Sequence, residues 1–121
     1  MLHALAILYA RWKIPEGAKA YLSEMEEALS GNVVNDFKWI EGALKAQREQ
    51  GRDYLVGEAL SVADVMMQFS IEFILERGLG VKNGSWPETE AWLERTMGRD
   101  GYKTAVEKSG YTLDSKGQFR T

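Results

Sequence analysis

The sequence predicts an all-α fold, a helical bundle of about five to six helices, and three observations predict it. Apolar residues recur at intervals of three and four along most of the chain, the period of a helix with one buried side. Both prolines stand where a helix would begin, and glycines cluster where helices would end. No segment alternates polar and apolar residues over several positions, as a half-buried strand would. The 121 residues suit one domain, large enough to bury roughly two-thirds of the surface its unfolded chain exposes.

The first helix is expected over about 1–13. Leu2, Leu5, Tyr9 and Trp12 share one side and are the expected core face. His3, Ile7 and Arg11 lie opposite, flanked by Ala4 and Leu8, so this helix is apolar most of the way round and needs cover on more than one side. A second helix is expected over about 15–29. Pro15 is preset for its first position, Ala18, Tyr21, Leu22, Met25 and Leu29 form its stripe, and Gly31 is its expected stop. A third is expected over about 33–50, with Val33, Phe37, Ile40 and Leu44 on one side and Gly51 closing it. Gly42 lies inside it, at a cost of about 1 kcal/mol relative to Ala, which close approach of a neighbouring helix would offset.

The best-marked element runs over about 62–77. Ser61 and Asp64 stand at the N-cap and N3 positions of a capping box, with Asp in place of the usual Glu or Gln, and Leu60 and Val65 occupy the hydrophobic-staple positions. Its body, from Val62 through Met66, Met67, Phe69, Ile71, Phe73 and Ile74 to Leu75, is apolar nearly all round, which predicts the centre of the bundle. Gly78 and Gly80 end it. Beyond a loop through Asn83, Trp86-Pro87 opens a helix over about 88–98, with Glu88 and Glu90 at its start and Arg95 near its end, as the helix dipole favours. Trp92, Leu93 and Met97 are its expected core residues. A last helix is expected from the cap residue Asp100 to Gly110, carrying Tyr102, Ala105 and Val106. The predicted domain is 1–111, followed by a polar tail, 112–121.

Composition removes several functions. There is no cysteine, which excludes disulfides, thiol nucleophiles and cysteine metal sites. His3 is the single histidine, so no multi-histidine metal site can form. The net charge of −3 gives no force toward a nucleic acid backbone, and no apolar run reaches the roughly 20 residues a membrane span needs. The opening MLHALAILYARWK places its charges after the apolar run, contrary to a signal peptide. Ser61 and Asp64 are read as a structural cap, Tyr9 as a packed aromatic, Tyr111 as a tail residue, Met66 and Met67 as core filler, and Glu24, Glu26 and Glu27 as a solvated face. The tryptophans read as packing anchors, since no basic stripe accompanies them.

The run Tyr54-Leu55-Val56-Gly57-Glu58-Ala59-Leu60-Ser61-Val62-Ala63-Asp64-Val65 resembles the capping segment of the C-terminal domain of glutathione transferases, in which an aromatic-leucine-x-Gly stretch precedes Leu-Ser/Thr-x-Ala-Asp-Ile at the start of the central helix. Trp86-Pro87 with Trp92 is similar to that family's proline-x-x-x-x-Trp element. Arg99, Tyr102, Lys103, Ala105, Glu107 and Lys108 resemble the ending of fungal-type members. The resemblance covers about residues 1–111 and implies the helical C-terminal domain, without the thioredoxin-like domain that binds glutathione and supplies the catalytic Tyr, Ser or Cys.

That resemblance implies no catalytic residue in this chain, no metal, and no cofactor bound by this chain alone, with glutathione as co-substrate when a thioredoxin-like domain is present. It implies that His3, Ala4, Ile7, Leu8 and Arg11 form the wall of a pocket for a hydrophobic electrophilic small molecule. It further implies a cytoplasmic homodimer acting in glutathione conjugation, isomerisation or reduction, with neither nucleic acid nor membrane as a partner. The alternative is a non-catalytic protein-protein interaction module of the same domain type; an enzyme that works without glutathione, guiding isomerisation or cyclisation of a metabolite, ranks third.

Overall fold

Five α-helices and one short 3-10 turn make up the computed structural model, which describes residues 2–82 and 84–110. Asn83, Tyr111 and the stretch 112–121, with the expected domain boundary, lie outside the described residues. In chain order the helices are α1 (Leu2–Lys13), α2 (Leu22–Glu49), α3 (Val62–Arg77), α4 (Pro87–Met97) and α5 (Asp100–Ser109), with the 3-10 turn Glu16–Tyr21 between α1 and α2. The all-α class is as expected, and among the described residues there is no strand.

Helix α1 packs on α2, but through the opposite face from the expected one. Ala4, Ile7 and Leu8 are buried, whereas Leu2, Tyr9 and Trp12 are exposed. The 3.6-residue period fits either face of a helix this apolar, so periodicity cannot choose between them. The buried positions 4, 7 and 8 and the half-buried position 11 form one continuous stripe. Its side chains are smaller, and it carries Arg11, whose guanidinium has a task at the end of α3.

Helix α2 is one continuous element of 28 residues, roughly 40 Å long at 1.5 Å per residue. Gly31 does not stop it. A single glycine costs a helix only about 1 kcal/mol relative to Ala, less than α2 gains by burying Val33, Phe37, Ile40 and Leu44 on one side. Those four were the expected face. Tyr21 and Met25, expected to be apolar contacts, are exposed. Gly42 also sits in the helix, but a Cβ placed there, or at Gly31, would meet nothing within 4 Å, so neither glycine admits a close neighbour.

Helix α3 is only half central. Ile71, Phe73, Ile74 and Leu75 are buried, and so are Asp64 and Gln68. Val62, Val65, Met66 and Phe69, at i, i+3, i+4 and i+7, are exposed. Leu60 and Val65, the expected staple pair, are both exposed as well. The helix ends in a Schellman turn: Gly78, at φ 60°, donates its N–H to the Leu75 carbonyl, and Leu79 donates to Ile74 at 3.0 Å. Leu79 is then fully buried. At Gly80 the chain passes so close to α2 that a Cβ would stand 3.1 Å from both Ser30 Cβ and Ile7 Cδ1.

Helix α4 lies against α2 and α3, and α5 against α4. Pro87 takes the first position of α4, which suits its fixed φ. The N-terminal amides of α4, which have no partner within the helix, are capped from a distance: the Glu41 carboxylate, on α2, accepts from Glu88 N and Thr89 N at 2.8 Å each and from Thr89 Oγ1 at 2.7 Å. Trp92 is fully buried, as expected. Asp100, expected as the cap of α5, lies inside its first turn, with Arg99 at the N-cap. Tyr102 Oη donates to the Glu72 carboxylate at 3.3 Å, tying α5 to α3.

Candidate functional site

The capping residues of α3 form a buried polar knot. Ser61 and Asp64 make the reciprocal capping box, and Asp64 Oδ2 accepts from Ser61 N at 2.8 Å and Ser61 Oγ at 2.9 Å. Asp64 Oδ1 accepts from Leu55 N at 2.9 Å and from the Trp92 indole N–H at 2.8 Å. One carboxylate therefore holds the loop before α3, the first turn of α3 and the middle of α4. Burial pushes the Asp64 carboxyl up, but these hydrogen bonds to its ionised form outweigh burial and leave it below the ordinary carboxylate range. Every acceptor direction is spent on structure, so no base or nucleophile arises here.

Arg11 is also occupied. It pairs with Glu26 of α2 through Nε, and its Nη1 and Nη2 donate to the carbonyls of Arg77 and Gly78 at 2.9 and 3.0 Å. A guanidinium at the carbonyl end of α3 meets both the unpaired acceptors and the negative pole of the helix. Of the other α1 candidates, Ile7 is 0 % exposed and Leu8 4 %, which puts both in the core. His3 is exposed, with its Nδ1 3.4 Å from Asn32 Nδ2. Ala4 is buried, yet it borders a cleft. The structure thus separates the five residues that the sequence grouped on one non-core face.

That cleft, about 200 Å3 in volume, opens between α1, α2 and α3. Ala4 forms its α1 side. From α2 come Val33, Phe37 and Ile40 at depth, with Asp36 and Trp39 at the mouth; from α3 come Met67, Ser70, Ile71 and Ile74. Asp36 is the one ionisable residue in this lining, and Trp39 is 73 % exposed. A second, shallower hollow is bordered by Leu8, Arg11, Trp12, Glu76 and Arg77. The first cleft is the better ligand site because most of its wall is apolar, with few polar groups.

Sequence reasoning did not single out Asp36, Trp39 or Ser70. The period of α2 and α3 placed them beside core positions, but only the gap left between the two helices makes them a wall. Among the described residues no group of three or more His, Asp or Glu is placed to hold a metal ion, and no helix is long and apolar enough to cross a membrane.

Comparison with known proteins gives one consistent picture. The family model described as the glutathione S-transferase C-terminal domain matches residues 1–100. Glutathione S-transferase 1 of Saccharomyces cerevisiae (strain ATCC 204508 / S288c) is 30% identical over 80 residues, which is 66% of this chain and 32% of the relative. The chain thus matches about a third of that relative's length. No solved structure matches it.

Proposed function

The chain belongs to the glutathione S-transferase C-terminal domain family, and we propose that it forms the hydrophobic-substrate side of a glutathione-dependent enzyme. The observation that carries this reading is the apolar cleft between α1, α2 and α3 in a domain of this family. In this reading a thioredoxin-like domain binds glutathione and lowers its thiol pKa by donating to the thiolate, while this domain desolvates and orients an apolar electrophile. No catalytic residue is assigned to this chain. The protein acts in the cytoplasm as a homodimer, in conjugation of hydrophobic electrophiles and hence in detoxification.

The α1 residues enter this proposal with separate parts. Ala4 lines the cleft, Leu8 and Arg11 border the second hollow, Ile7 lies in the core, and His3 stands at the surface. The test joins this domain to a glutathione-binding thioredoxin-like domain and follows glutathione-dependent loss of an aryl halide. Ser70→Leu, which fills the cleft, raises KM several-fold while the fold is retained. Turnover that ignores Ser70→Leu would remove the cleft from the reaction.

A second reading, a protein-protein interaction module, draws on the exposed stripe Val62, Val65, Met66 and Phe69 of α3. Stripes of this kind mark partner surfaces in soluble proteins. It takes precedence if the joined protein shows no glutathione-dependent turnover and a defined partner is lost on Met66→Glu.

A further inference from the structure

We infer that the cleft between α1, α2 and α3 takes a small aromatic molecule carrying a protonated amine, with the ammonium group held at the mouth by Asp36 and Trp39. This inference rests on the reading of the cleft as an apolar ligand site and adds its size and charge preference. The volume decides the size. A dry cavity of about 150 Å3 accepts benzene, so a cleft of about 200 Å3 has room for a small aromatic ring and a short tail. The walls around the ring are Val33, Phe37, Ile40, Ile71 and Ile74, and no charged group reaches them.

The mouth decides the charge. Asp36 and Trp39 are three residues apart on α2, so their side chains are neighbours on the helix surface. Among the described residues, no hydrogen bond or ion pair engages the Asp36 carboxylate, in contrast to Asp64, Glu41 and Glu26, which are all paired. An unpaired carboxylate near an exposed indole offers a cation two attractions at one place, an ion pair and a cation–π contact. The same carboxylate repels an anion, as does the net charge of −3. Ser70, on the α3 wall, offers a hydroxyl that can accept from a second ammonium hydrogen.

The test uses the chain as it stands, at pH 7 and low salt, with three ligands of one shape: phenethylammonium, phenethyl alcohol and 3-phenylpropanoate, each titrated by ligand-observed NMR. The expected order is cation, neutral, anion, with the cation binding at least about threefold more tightly than the alcohol. Asp36→Asn weakens the cation toward the alcohol's affinity and leaves the alcohol unchanged. Trp39→Leu weakens both, the cation more. Both substitutions lie on the exposed side of α2, and circular dichroism verifies that the helices persist. Equal binding of cation and alcohol, or indifference of the cation to Asp36→Asn, overturns the charge preference while leaving the apolar cleft standing. If none of the three rings binds, the cleft itself is no ligand site and both readings fall.

Discussion

The two ends of α3 are held by opposite means. At its N-terminus a carboxylate, Asp64, is wholly buried and receives four hydrogen bonds, two of them from its own capping residue. At its C-terminus a guanidinium, Arg11, lies partly in solvent and arrives from a helix more than sixty residues away in sequence. Each meets the pole of the helix that its charge favours. The difference teaches that a buried charge serves as a structural centre only when every lone pair is answered, whereas a half-buried one, which water can still reach, holds its helix end more weakly.

The sharpest way to break this comparison is Asp64→Ala. It leaves Leu55 N, Ser61 N and the Trp92 indole without their acceptor inside the protein, and the expected loss is about 3 kcal/mol or more in urea unfolding. A loss under about 1 kcal/mol would show that water or another group replaces the carboxylate. The same residue sets an acid limit. Its carboxyl sits below its ordinary value of 3.8 in the folded protein, so its contribution is complete at pH values above about 4 and fades as pH falls through the folded value. Asp64→Asn, measured over pH 2–6, flattens that acid decline.

Gly80→Ala strikes the C-terminal side, where φ is 92° and Ser30 stands 3.1 Å from the added Cβ. Left-handed backbone costs an L-residue roughly 1–2 kcal/mol, and overpacking adds to it, so a loss of about 2–3 kcal/mol is expected by thermal melting. Arg11→Ala should cost less, about 1–2 kcal/mol, and the cost should shrink in high salt because the group is only partly buried. Arg11→Lys should recover little of it, since an ammonium lacks the fork that spans two carbonyls and Glu26. If Lys restores stability in full, the clamp is charge alone. Gly31→Ala, remote from both ends, should raise stability by about 0.5–1 kcal/mol, as expected of an open helical site. A loss there would mean that α2 is not continuous in solution.

Much of the fold was legible because its signals are local. The capping box lies within four residues, and the α2 face Val33, Phe37, Ile40 and Leu44 repeats within three turns. Pro87 marks the start of α4 by its own geometry. The misreadings share a cause. Gly31 carries a real stop propensity, but the burial of the α2 face on both sides of Ile40 outweighs it. On α1 two apolar faces competed, and the larger side chains of Leu2, Tyr9 and Trp12 were the wrong guide. The candidate site was less legible than the fold. Arg11 was grouped with His3, Ala4, Ile7 and Leu8 as one pocket wall, but its partners are Glu26 of α2 and two carbonyls at the end of α3 that no residue pattern reveals. Asp36, Trp39 and Ser70 look like ordinary surface positions until α2 and α3 are set apart across a gap.

Composition, period and caps alone determined that this chain forms a helical bundle, that its fourth predicted helix starts at a Ser-Asp box, and that no cysteine chemistry is possible; the likeness to the glutathione S-transferase C-terminal domain lay in the order of the motifs around that box. Tertiary structure alone decided which side of α1 is buried, that Trp92 and Leu55 share the Asp64 carboxylate, that Glu41 caps α4, and where a cleft remains open. The division follows from range. Hydrogen bonds and steric limits within one turn act through neighbours in the chain, so residue order encodes them. Burial, long-range pairing and voids depend on how whole helices share space, and that is settled only when all of them pack at once.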